Sequence, residues 1–125
     1  MSTGVFRVEQ VGPTMVVTPT DDLRELEFDR IEDGAAEVFQ ALEKGHAKNV
    51  VIDLHHTSYY GSTALSFFVK LWKRVKTDGG QMVLCGVSDQ EQEVLQATHL
   101  DKLWPQSPDR ARALTRIDAA ATSAE

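Results

Sequence analysis

Asn49-Val-Val-Ile-Asp-Leu54, His55-His-Thr-Ser-Tyr-Tyr60 and Gly61-Ser-Thr-Ala-Leu65 follow one another without a break, and the fold is read from this stretch outward. The first piece is a compact β-branched run bounded by polar residues, which is how a strand covered on both faces reads. From Leu65 the apolar residues Phe68, Val69, Trp72 and Val75 recur at helical spacing. Lys70, Lys73, Arg74 and Lys76 fall mostly on the other side and gather toward the C-terminal half, where the helix dipole favours cations. A strand, a loop and an amphipathic helix in that order are the opening of a crossover unit, the building block of α/β sheets.

Downstream, Gly79-Gly80 stops that helix and Gln81-Met-Val-Leu-Cys85 forms another strand, ended by Gly86. Ser88 or Asp89 caps a third helix through Val94 and Leu95, reaching toward Thr98. Leu100, Leu103 and Trp104 make a short apolar run before Pro105, and Pro108 opens a last helix over Asp109 to about Arg116. Upstream, Val5–Val11 and Thr14–Thr18 are two β-favouring runs joined by Gly12-Pro13, a hairpin that adds an antiparallel edge. The acidic stretch TDDLRELE reads as solvated. Ile31, Ala35, Val38, Ala41 and Leu42 then define a helix over Phe28–Glu43, ended by Gly45. The expected class is α/β, a mixed sheet of four or five strands with about four helices. Val50–Leu54 and Met82–Cys85 lie parallel at its centre. Residues 1–115 form one domain, and 116–125 are a tail with too little apolar content to pack.

Composition narrows the function. The chain has 125 residues, 13 Lys+Arg and 19 Asp+Glu, hence a net charge of −6. An acidic chain lacks the positive field that drives non-specific nucleic-acid binding, so a protein partner is favoured. Cys85 is the single cysteine, which excludes an intramolecular disulfide and a thiolate-rich metal site; inside an apolar run it reads as a small buried hydrophobe. Nothing resembles a signal peptide, and no window approaches the roughly 18 apolar residues of a membrane span, so a cytoplasmic address without membrane insertion is expected.

Enzyme signatures are missing from the sequence, and no cofactor or metal is expected. His55 and His56 follow the strand end, where α/β folds place active sites. Adjacent histidines are expected to diverge, however, and His46 and His99 sit in other segments, which leaves no metal-ligand pattern. Asp21, Asp22, Glu25 and Glu27 lack the order of a calcium loop. Ser62 is not in a Gly-x-Ser-x-Gly elbow, and no phosphate-cradling glycine loop occurs.

The unusual segment is Ser58-Tyr59-Tyr60-Gly61-Ser62-Thr63-Ala64, which puts two hydroxyls at a helix N-terminus. Ser62 can serve as a plain N-cap. A phosphate on it is also tolerated there, because free N–H groups and the positive dipole end favour an anion, and it adds about 1.5 to 2 negative charges. Tyr59 and Tyr60 should point oppositely, one packed and one exposed.

Val50–Leu54 followed by a loop and Gly61–Leu65 resembles the STAS domain of bacterial anti-sigma factor antagonists. In that family a strand ending in Asp-Leu precedes Asp-Ser-Ser/Thr-Gly-Leu at a helix start. The likeness continues through Gly79–Gly86, Val94-Leu95, Thr98–Trp104 and Ala111–Leu114. It implies a phosphoacceptor at Ser62, with Thr63 as the competing hydroxyl, and a partner surface over residues 58–64. It also implies the partners: an anti-sigma factor that is a GHKL-type serine kinase, released by phosphorylation, and a serine phosphatase that resets the switch. The sequence departs from the motif at Gly61, where the family has Asp, and at Ala64 and Ser66, where it has Gly. Some relatives act without phosphorylation, as adaptors or scaffolds in larger signalling assemblies or as soluble subunits of membrane lipid-transport complexes, and this is the alternative the resemblance carries.

Overall fold

The computed structural model describes residues 5–23 and 28–123. The chain runs β1 (Phe6–Val11), β2 (Thr14–Pro19), α1 (Phe28–Gly45), β3 (Asn49–Asp53), α2 (Ser62–Thr77), β4 (Met82–Cys85), α3 (Asp89–Ala97), a 3-10 turn (Leu100–Lys102), β5 (Gln106–Ser107) and α4 (Arg110–Ser123). The five strands lie in sequence order, β1-β2-β3-β4-β5. β1 is antiparallel to β2, and every other pairing is parallel. The expected hairpin edge and the parallel β3–β4 pair are both present. The hairpin closes through Gly12, whose φ of +59° suits a residue without a Cβ.

Alternation along the strands divides the core in two. Phe6, Val8, Met15, Val17, Val50, Ile52, Leu54, Met82 and Leu84 face α1, α2 and α3, where Phe67, Phe68, Leu71, Leu95 and Trp104 complete a large cluster. Val16, Val51, Val83 and Cys85 face the other way, against Ala113 and Ile117 of α4. β3 is buried at all five positions, as its β-branched run predicts.

Three details depart from the sequence reading. Trp72 is half-buried at the margin of the core with Lys76 Nζ 5.1 Å above its ring, while Ala64, Phe67, Phe68, Leu71 and Val75 form the buried stripe. α2 touches both the sheet and α1, so its apolar arc is wide and the buried centre lies one residue off the simplest stripe. α4 continues past Arg116 to Ser123, because Ile117 falls one turn after Ala113 and buries itself on Val51 and Val83. The rings of His55 and His56 do not diverge; their centroids are 3.7 Å apart. Of the acidic stretch, Arg24–Glu27 lie outside the described residues.

Candidate functional site

The loop between β3 and α2 carries the segment singled out in the sequence, and hydrogen bonds from two directions hold it. From the end of β2, the Asp22 carboxylate accepts from the Ser58 backbone N–H at 2.8 Å and from the Ser58 hydroxyl at 3.3 Å, with the Thr57 hydroxyl at 3.2 Å. Leu23 N–H donates to Tyr59 O at 3.0 Å, and Gly61 N–H donates to Leu23 O at 2.8 Å. From the start of α3, the Ser88 hydroxyl donates to Ser58 O at 2.8 Å, and the Tyr60 hydroxyl donates to Glu91 O at 3.0 Å. The bonds from Ser58, its backbone N–H first, hold the Asp22 carboxyl below its ordinary pKa. Asp22 is therefore a structural acceptor and not the solvated acid its context suggests.

Ser88 and Glu91 form a reciprocal capping box, Glu91 N–H to the Ser88 hydroxyl at 3.2 Å and Ser88 N–H to Glu91 Oε1 at 2.9 Å. Ser88 was one of the two expected caps. Glu91 is buried, which raises its pKa, and its Oε2 has no hydrogen-bond partner. Sequence offers a signal for this box, Ser-x-x-Glu before an apolar residue, but none for Asp22, which meets Ser58 across 36 positions.

The two tyrosines separate as alternation predicts. Tyr60 is 2% exposed, edge-on to Phe68 at 5.7 Å, and burial raises its pKa; Tyr59 is 42% exposed. Gly61 and Ala64 are buried too and shape the surface from beneath, whereas Ser58, Tyr59 and Ser62 reach solvent and Thr63 is half-buried. Gly61, not Ser62, is the N-cap of α2, with φ −96° and ψ −171°. Ser62 is thus the first helical residue. Among the described residues its hydroxyl has no hydrogen-bond partner, and the first turn of α2 holds no acidic side chain.

Ser62 also opens onto a groove of about 630 Å³ between α1 and α2. Ile31, Phe39 and Phe67 make its wall, Ser66 and Lys70 continue the exposed stripe that begins at Ser62, and Glu32 stands on the α1 side. Residues 6–113 match the family model described as the STAS domain. The chain belongs to the STAS family. An anti-sigma F factor antagonist of Paenibacillus polymyxa is 23% identical over 79 residues, covering 63% of this chain and 68% of the relative. The crystal structure of a putative anti-sigma factor antagonist of Thermotoga maritima superposes with a TM-score of 0.80 at 20% identity, covering 93% of this chain and 97% of the other. A STAS domain protein of Planctomyces limnophilus is 30% identical with a TM-score of 0.74, covering 90% and 97%. The STAS fold expected from the resemblance is the fold observed, and the protein is an antagonist-like STAS domain.

Cys85 is buried, and burial together with the Asp53 carboxylate pushes its thiol pKa up to about 12, which makes it a poor nucleophile. Among the described residues no group of three or more His, Cys, Asp and Glu side chains is placed to hold a metal ion, and no helix is long and apolar enough to cross a membrane.

Proposed function

We propose that this STAS protein is a partner-switching regulator that binds an anti-sigma factor with serine-kinase activity through Ser58, Tyr59, Ser62 and the α1–α2 groove, and that phosphorylation of Ser62 releases it. The observation that carries the reading is the state of Ser62: exposed, unbonded, first in a helix, and at the rim of a ligand-sized groove. A phosphate there meets the positive dipole end of α2, so the domain stays folded. The same phosphate places about 1.5 to 2 negative charges where a partner must seat. Like-charge juxtaposition in an interface costs several kcal/mol, and about 1.4 kcal/mol is already tenfold in affinity. Thr63, one residue deeper and half-buried, is the lesser acceptor.

The test is incubation with ATP and a GHKL-type anti-sigma factor kinase, mapping of phosphate by mass spectrometry, and titration of that partner against wild type, Ser62→Ala and Ser62→Asp. Modification at Ser62, with affinity reduced tenfold or more in the modified protein and partly in Ser62→Asp, supports the switch. A partner that binds all forms equally sinks it. The second reading is an unphosphorylated adaptor or scaffold module, favoured by Gly61 and Ala64, which alter the residues flanking the hydroxyl pair while the surface stays built.

A further inference from the structure

α4 seats on the second face of the sheet over β3, β4 and β5, with Val16 of β2 at the edge of its footprint. On that face the C-terminal end of β2 stays open. Arg7 of β1 and Thr18 of β2 are directly paired across the hairpin, so their side chains share this face. Together with Thr20 and His56 they line a small cleft of about 170 Å³. We propose that this cleft binds a small oxyanion of the phosphate class, independently of the chemistry at Ser62.

Three observations carry the proposal. First, Thr18 is a largely buried residue that lines the cleft, and its hydroxyl, which has no hydrogen-bond partner among the described residues, is available to a group seated there. Second, in a chain of net charge −6, Arg7 has no carboxylate within ion-pair distance among the described residues. Glu9, two residues along the same strand, is held by Arg110 at 2.6 Å. Third, the His56 ring packs at a tilt against His55, centroids 3.7 Å apart, and His55 is itself tied to Asp53, so the imidazole at the cleft wall is braced. A guanidinium fork, the Thr18 hydroxyl and an imidazole around a cleft of this size match the acceptor-rich surface of a tetrahedral oxyanion. Thr20 already donates to Val5 O at 3.2 Å and shapes the wall.

The proposal is tested by adding sodium phosphate to the ¹⁵N-labelled full chain, with sodium chloride withdrawn to hold ionic strength constant, and following amide shifts. Saturable shifts at Arg7, Thr18, Thr20 and His56 are expected, with binding weakened about tenfold or more in Arg7→Gln and also reduced in Thr18→Val. Glu32→Gln, in the α1–α2 groove, should leave the titration unchanged. Shifts that rise linearly without saturating, that spread over the whole surface, or that persist unaltered in both cleft variants would overturn it. Thr18→Val keeps the side-chain shape, so a loss of binding with an unchanged melting curve reports the hydroxyl and not the fold.

Discussion

The two faces of the sheet are built from the same strands but to different depths. On the face toward α1, α2 and α3, Phe67, Phe68, Tyr60 and Trp104 pack ring to ring, and three helices exclude water from it. On the other, one helix lays Ala113 and Ile117 on Val16, Val51, Val83 and Cys85, and the hairpin end is left open. The first face supplies stability and supports the loop that carries Ser62; the second is thinner and leaves room for a polar cleft.

Substitutions should rank in that order. Phe68→Ala, at the meeting point of Tyr60, Phe67 and Trp104, should cost about 3 to 5 kcal/mol in urea unfolding. A much smaller loss would show that the thick face is not the main source of stability. Ile117→Ala should cost about 2 kcal/mol, at the low end for a buried aliphatic, because the C-terminal part of α4 can settle into the space. If it matched Phe68→Ala, the two faces would be energetically equal. Trp72→Ala tests the margin of the thick face: a half-buried ring under Lys76 should cost about 1 kcal/mol, and a loss of core size would restore Trp72 to the buried stripe.

The smallest effect belongs to the loop clamp. Asp22 has a depressed pKa in the folded state, so its contribution is present above its ordinary value of 3.8 and disappears as pH falls through the lower folded value. Asp22→Asn should therefore be less stable than wild type at neutral pH by under about 1 kcal/mol, since the group is partly solvated, and the two should converge in acid. Amide exchange at Ser58 should accelerate in the variant at neutral pH. Unchanged exchange would mean that Ser88 and Leu23 hold the loop without Asp22.

Much of this architecture is legible in residue patterns because the patterns are local. Asn49–Leu54, the Gly12-Pro13 turn, the Gly79-Gly80 stop and a cap at Ser88 or Asp89 each announce themselves within a few positions, and the alternation of Tyr59 and Tyr60 follows from extended backbone. What sequence did not show depends on contacts far along the chain or on degenerate patterns. α2 is apolar at Ala64, Leu65, Phe67, Phe68, Val69, Leu71, Trp72 and Val75, so no single stripe is distinguished until α1 is in place. Asp22 acts through a loop partner that no periodicity predicts. At the helix start, Gly61-Ser62 is compatible with either residue as the cap, and backbone torsions decide for Gly61.

The outer strands of the sheet have a consequence for how copies of this chain can associate. β5 is two residues long, too short to template a neighbouring strand, and β1 places Arg7 and Glu9 along the opposite border. Unpaired strand borders are where proteins zip into continuous β-structure, and short or charged borders are the usual protection. Side-by-side joining of sheets is disfavoured at both ends, which leaves helices and loops as the surfaces through which copies of this chain meet.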